Sequence, residues 1–309
     1  MINQKKISVA LTTYNGIKYL EEQLDSLRTQ TLKPDEVIIA DDNSSDGTPD
    51  FCEKYIAKNN LTGWKVIRRE KNLGVVENFR QVILQTTGDY IFTCDQDDIW
   101  KPEKIQVMCE VLEARPEIKL LASNYIPLIN NEPAHVPVKY IERDDGKIIK
   151  YELKNTWLDS LRPGCCFCFR RELLDVLEIF AGFNNLYDSL LWQRAITSDG
   201  LYLLCRRLII YRRHEGNATG QFNRPLVTIE RRIELCKKDS EWYEGILKRL
   251  NMPEKNQRLL KKKINFIEKR SRMLAKKNLF RAVIFVALNF NYYPTFRNAM
   301  SEICAMIFR

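Results

Sequence analysis

Histidine is nearly absent from this sequence, two residues in 309, and glycine and proline are sparse at 12 and 11. So few chain breakers exclude a collagen-like or low-complexity chain, and 45% hydrophobic content excludes disorder. One substantial core, or a core with an appendage, is within reach of this length. No apolar stretch attains the run of about eighteen residues that a spanning helix requires. Met1 to Lys6 lack the long apolar region of a secretion signal, so the expected location is the cytosol. Cysteine is not scarce, but its pattern lacks what a disulfide or zinc framework needs. Six of the nine are scattered (Cys52, Cys94, Cys109, Cys205, Cys236, Cys304), and Cys165, Cys166 and Cys168 crowd one apolar run. Cys165 and Cys168 stand at Cys-x-x-Cys spacing with neither a second pair nor a neighbouring histidine, so reduced, buried thiols are expected.

The net charge of +9 is unevenly placed. Residues 1–223 hold 29 Lys+Arg against 32 Asp+Glu, whereas residues 224–309 hold 20 against 8. A basic tail of this kind meets anionic lipid or nucleic acid, or is a solvated face. It carries no nucleic-acid-binding motif, and no nucleic-acid partner is expected.

Short β-branched runs alternate with helical patterns through the first 125 residues. Ile7–Leu11, Val37–Ala40, Lys65–Ile67, Tyr90–Cys94 and Leu120–Ser123 read as buried strands. Ile17, Leu20, Leu24 and Leu27, then Val75, Phe79, Val82 and Ile83, fall at helical spacing between them. The alternation predicts an α/β fold with a mostly parallel sheet, in which ligands bind beyond the carboxyl ends of the strands. Those exits are polar: Thr12-Thr13-Tyr14-Asn15-Gly16, Asp41-Asp42-Asn43-Ser44-Ser45-Asp46-Gly47 and Asp95-Gln96-Asp97-Asp98. Residues 126–223 are less regular, and from about Leu226 the pattern is helical and basic, so a boundary is expected near 224.

Two carboxylates on alternate residues after an apolar strand, Asp95 and Asp97, suit a hard divalent cation that also meets phosphate oxygens; the plainer reading is an acidic turn capping a helix near Pro102. Asp41 is placed to accept the imide N–H of a uracil or thymine ring, in a segment that is otherwise turn and helix cap. Asp188, among Leu186, Tyr187, Leu190, Leu191 and Trp192, is either a helix cap or a general base with a raised pKa. His214, beside Tyr211, Arg212, Arg213 and Asn217, suits a diphosphate and metal; His135, in a Pro-bounded loop, gets no role.

Thr12-Thr13-Tyr14-Asn15, the block Val37 to Thr48, Asn72-Leu73-Gly74 with Asn78, and Asp95-Gln96-Asp97-Asp98-Ile99-Trp100 together resemble family 2 glycosyltransferases over about residues 5–223. The Asp-Gln-Asp-Asp-Ile-Trp form, and Tyr211-Arg212-Arg213-His214 with Asn217, are similar to the rhamnosyltransferase-like branch. The resemblance implies a GT-A fold over 1–223, with 1–125 the nucleotide half, 126–223 the acceptor half, and 224–309 a helical extension. It implies that Thr12, Tyr14 and Asp41 frame the base, that Asp95 reaches the ribose or diphosphate, and that Asp97 binds Mg²⁺ or Mn²⁺ with support from His214. It puts Asn15, Asn72, Asn78 and Gln96 with the donor, and Trp100, Gly164, Trp192 and Arg212 on the acceptor side. Where many members carry Glu-Asp with the Asp as base, this chain has Tyr187-Asp188. The Gln-x-x-Arg-Trp signature and membrane spans of processive synthases are missing, which favours single addition. The implied reaction is inverting transfer from a dTDP- or UDP-sugar to a hydroxyl of a growing, lipid-linked glycan.

Two rival classes remain. A nucleotidyltransferase would show a Gly-rich, basic loop after strand one, which Thr12-Thr13-Tyr14-Asn15 is not. A catalytically inactive scaffold would have no use for Asp97, Asp188 and His214. In the tail, Phe280, Ile284, Leu288 and Tyr292 recur at four-residue steps after the cationic stretch that begins at Lys261, as in a segment lying on a membrane surface. The same pattern fits a hairpin packed on the catalytic domain or on a second subunit in a homodimer.

Overall fold

A computed structural model of the chain describes residues 5–129, 132–134, 136, 138, 140–154, 158, 160–183, 185–214, 228–293 and 295–307. His135 and Asn217 lie outside the described residues. There are two compact units, one of Met1–Tyr151, Asp159–Ile196 and Gly200–Thr219, the other of Glu152–Leu158, Thr197–Asp199 and Gly220–Arg309.

The first unit follows the expected alternation: β1 (Ile7–Thr13), α1 (Ile17–Arg28), β2 (Glu36–Asp41), α2 (Thr48–Lys58), β3 (Trp64–Arg68), α3 (Val75–Leu84) and β4 (Tyr90–Cys94). Then come β5 (Ile99–Trp100), α4 (Lys104–Ala114), β6 (Leu120–Ile129), β7 (Glu132–Pro133), β8 (Ile148–Lys150), β9 (Phe167–Arg170), α5 (Asp175–Ile179), α6 (Tyr187–Thr197) and β10 (Leu201–Arg213). The sheet order is β3-β2-β1-β4-β9-β6-β10-β5, with β7 on β6 and β8 on β10. β1, β2 and β4 are buried at every position, the mark of strands covered on both faces, while β3 at the edge is only partly buried. Thr13 pairs with Asp41 and Leu11 with Cys94 across parallel ladders, so the three polar exits share one rim.

The second half departs from the sequence reading. The run Phe167–Arg170, taken as irregular, is a strand inserted antiparallel between β4 and β6. A short apolar run carries no signal of strand direction. β10 is a long strand whose register shifts near Arg207 against β6, a bulge that breaks any simple alternation.

The second unit contains α7 (Ile229–Arg249), α8 (Glu254–Ala275), α9 (Leu279–Leu288) and α10 (Phe296–Ile307). Thr228 and Asn278 cap α7 and α9 by accepting the N–H groups of Arg231 and Arg281. Phe266 stacks on Tyr292 at 4.5 Å and on Phe285 at 5.7 Å, beside Ile267, Leu274 and Ala282. Glu302, 1% exposed, accepts from Arg232 at 2.7 Å and from Arg270 at 2.5 Å. Among the described residues, no helix is long and apolar enough to cross a membrane.

Candidate active site

The first two exits are knitted together by side chains. Asn15 takes φ 46°, donates its N–H to Ser44 Oγ at 2.8 Å, and accepts the Ser45 N–H on its own Oδ1 at 2.9 Å. Asp41 is 1% exposed; Oδ1 accepts the Thr13 and Ser44 hydroxyls and Oδ2 accepts the Ser44 N–H. Its first task is therefore to shape the loop. Asp42, for which no role was expected, accepts the N–H groups of Leu73 and Gly74, tying the third loop to the second. Asn72 accepts the Gly74 N–H, and Asn78 is buried, donating to the Ala40 carbonyl and accepting from Arg69. Asn78 was expected beside the donor; it is a brace inside the wall. Thr12 is buried at the end of β1, and Tyr14 is half exposed at the mouth of the loop.

Gln96 joins the third exit to the first. Its Oε1 accepts the Tyr14 N–H at 2.8 Å and its Nε2 donates to the Tyr14 carbonyl at 3.1 Å, a two-point clamp. Gly16 is small because a Cβ there would stand 2.0 Å from Gln96 Oε1.

Asp95, Asp97 and Asp98 crowd the same rim, and their carboxyls are all pushed upward. Burial raises Asp95 to about 7, followed by the charges of Asp97 and Asp188. Burial also raises Asp97, against the pull of His214, whose Nε2 lies 2.9 Å from Asp97 Oδ2. Asp98 is fully buried and accepts the Arg212 N–H at 3.2 Å. Asp188 sits part-exposed in the first turn of α6 with its carboxyl raised by burial to about 6, while the Ser189 N–H donates to it at 2.6 Å. Ligand atoms of Asp95, Asp98 and Cys165 lie within 4.8 Å of one another. Burial holds the Cys165 thiol well above its ordinary value, so it stays protonated, and Asp98 Oδ1 already accepts the Arg212 N–H. Oxygen and imidazole ligands suit Mg²⁺ or Mn²⁺ better than a thiol, so Asp97 and His214 beside Asp95 fit such an ion better than the Cys165 group does.

α1 reaches the far end of β10, a link invisible in sequence. The Tyr19 ring stands 4.8 Å from the His214 ring and 5.1 Å from the Arg212 guanidinium, which ion-pairs with Glu22. Arg212, expected on the acceptor side, is thus turned toward α1. Trp100 and Trp192 were expected to wall the acceptor and are 2% and 1% exposed. Both rings go to the core: Trp100 packs on Phe92 at 5.7 Å and Trp192 on Tyr151 at 5.5 Å. Gly164 is buried too; its carbonyl accepts the Thr93 hydroxyl, and a Cβ there would lie 2.0 Å from the Tyr187 hydroxyl. Tyr187, directly before Asp188, is stacked on Phe79 at 4.1 Å. Beneath the rim, Lys104 is fully buried, donates to the Cys165 carbonyl at 3.0 Å and lies 3.1 Å from the Trp100 ring centre. Burial lowers its pKa to about 8, and its charge opposes the rise at Asp95.

The sequence model described as Glycosyl transferase family 2 matches residues 8–177. An uncharacterized protein of Mycobacterium tuberculosis, Rv1520, is 36% identical over 113 residues, covering 36% of this chain and 32% of its own length. The chain thus spans about a third of that relative. The dTDP-rhamnosyl transferase RfbG of Shigella flexneri is 27% identical over 225 residues, 68% of this chain and 73% of that one. Among solved structures, S. aureus TarS 1-349 in complex with UDP-GlcNAc superposes with TM-score 0.59 at 19% identity, covering 93% of both chains. The mannosyltransferase PcManGT from Pyrobaculum calidifontis, with GDP-Man and Mn²⁺, gives 0.54 at 15% identity over 99% of this chain and 86% of that one. The architecture is the GT-A fold with a helical C-terminal region. Because the family match covers more than half of the sequence, the chain belongs to glycosyltransferase family 2.

Proposed function

We propose that the chain is an inverting, metal-dependent hexosyltransferase. It moves rhamnose or another hexose from a dTDP- or UDP-sugar to a hydroxyl of a growing glycan, lipid-linked in the reading the family resemblance favours. The observation that carries this is the convergence on one rim of Asp95, the Asp97–His214 pair and a part-exposed Asp188 whose pKa is raised to about 6.

Asp188 takes the proton of the acceptor hydroxyl as that oxygen bonds to the anomeric carbon; the bond from carbon to diphosphate breaks on the opposite side, and configuration inverts. Negative charge grows on the departing diphosphate. Asp97 and His214, with Asp95 alongside, are the residues to hold Mg²⁺ or Mn²⁺, which when bound supplies positive charge at that place. Asp41 Oδ2 has accepted one hydrogen bond and keeps a lone pair for the imide N–H of the base. The Gln96 clamp holds the backbone of Tyr14, whose half-exposed ring offers a face to the base.

The rhamnosyl transferase relative makes dTDP-rhamnose the first donor to try, and the UDP-GlcNAc neighbour makes a UDP-hexose the second. The test is a panel of nucleotide sugars with Mn²⁺ or Mg²⁺, reading released nucleoside diphosphate and the anomeric configuration of the product. No release from any donor with either metal would refute the proposal, and a retained configuration would refute its mechanism.

A further inference from the structure

α9 presents an unusual surface. Phe280 and Leu288 are 74% and 78% exposed, and Leu279, Val283 and Ile284 are exposed beside them, while Ala282 and Val286 turn inward to the helical core. Phe296, 68% exposed, packs its ring 6.3 Å from that of exposed Phe290 and extends the apolar area to α10. Water does not favour so many large apolar groups together on a protein surface, and such a patch marks a place of contact.

Charge identifies the contact. From Lys269 to Arg309 the sequence holds 8 Lys+Arg and one acid, Glu302. That acid is buried between Arg232 and Arg270, so among the described residues of this stretch no acidic side chain is exposed. Glu230 pairs with Lys277 and Glu268 with Arg272, and Lys276, Arg281 and Arg297 take no part in those ion pairs. Lys276, Arg281 and Arg297 are exposed around the patch. Two copies meeting through it would set like charges against each other, whereas anionic headgroups would meet every one of them favourably. With 10 residues α9 is about 15 Å long, half the hydrocarbon thickness of about 30 Å, so it can lie on a bilayer and not cross it.

We propose that the α9–α10 face docks on an anionic phospholipid surface, Phe280, Ile284, Leu288 and Phe296 entering the interface and Lys276, Arg281 and Arg297 meeting the headgroups. This goes beyond the transferase reading and does not depend on it, because binding is measured without a sugar donor. The full chain is sedimented with vesicles of phosphatidylcholine alone and with one part in about three phosphatidylglycerol, at low salt and at about 1 M salt, where charges are screened beyond ~3 Å. The expected result is binding to the anionic vesicles that salt weakens, and partitioning at least about tenfold weaker for the double variant Phe280→Ser, Leu288→Ser. Both positions are so exposed that circular dichroism should show the variant folded. Failure to bind anionic vesicles at low salt, or binding that the folded variant retains in full, overturns the proposal. So does a dimer seen by light scattering in the unsubstituted chain and lost in the variant, which would give the face to a second copy.

Discussion

The pH dependence of turnover tests the assignment of Asp188 most directly. An exposed aspartate titrates near 3.9, so a base of that kind would stay ionised down to about pH 4.5. Burial in the first turn of α6 raises Asp188 to about 6. Burial favours the neutral acid, so the base is present above that pH and is lost below it. At pH 7 about nine-tenths of such a group is ionised and at pH 5 roughly one-tenth, so kcat should fall about tenfold for each pH unit below 6 and be level above it. Asp188→Asn keeps the shape and the Ser189 contact, removes the base, and should lower kcat by at least about a hundredfold with donor KM unchanged. What rate remains should be flat with pH. The assay is nucleoside diphosphate release at saturating donor between about pH 4.5 and 8, provided the fold survives that range by circular dichroism. Asp95, raised to about 7, also gains a proton in this window, and burial raises Asp97 beside it, so a metal held there would be given up as the carboxyls protonate. Raising Mn²⁺ tenfold at about pH 5 separates the two causes. If the added metal restores the rate, or if Asp188→Asn shows the same acidic limb as the unsubstituted enzyme, Asp188 is not the base.

Asp97→Ala should abolish nearly all turnover while leaving the fold intact, and excess chelator should do the same to the unsubstituted enzyme; full activity in chelator refutes the metal. Gly16→Ala drives a Cβ to 2.0 Å from Gln96 Oε1 and must break the clamp on Tyr14, so donor KM should rise several-fold with kcat less affected, checked by steady-state kinetics. Gly164→Ala meets the Tyr187 hydroxyl at 2.0 Å in a buried site, should cost about 1–3 kcal/mol, and should lower kcat by displacing Asp188; chemical denaturation and kinetics read the two effects. Glu302→Ala leaves Arg232 and Arg270 partly buried without their acid and should destabilise the helical unit by about 3 kcal/mol, seen as a lowered unfolding midpoint.

The first 125 residues were legible because they obey local rules: continuous apolar runs became β1, β2 and β4, and the residues after them became the rim. The neighbours of Asp188 left a helix cap and a general base both open, and the contact of Asp97 with His214 had no local signal, since 117 residues separate the pair. Tyr19 and Glu22, which meet His214 and Arg212, were hidden for the same reason. The acceptor-side residues were misread because residue type does not tell a core tryptophan from a binding-site one; Trp100 and Trp192 are both buried. One signal was overlooked. Lys104 falls on the apolar stripe of α4 with Met108 and Leu112, at four-residue steps, and a lysine there is either misplaced or buried with a purpose.

Lys104 and Gln96 also explain how the rim tolerates so much negative charge. Asp95, Asp97, Asp98 and Asp188 are close enough that Asp97 and Asp188 raise Asp95, and Asp95 raises Asp98, so a further carboxylate would be resisted by all of them. Position 96 stands among them and must still hold the Tyr14 backbone at both its N–H and its carbonyl. A glutamate could accept from the N–H but not donate to the carbonyl, and would add a further carboxylate; glutamine does both tasks without charge. On the inner side a buried Lys104 ammonium, held by the Cys165 carbonyl and the Trp100 ring, opposes the rise at Asp95 without reaching the solvent side. The outer side keeps its carboxyl groups, and in the proposed reaction a divalent cation held there would offset the charge of the departing diphosphate.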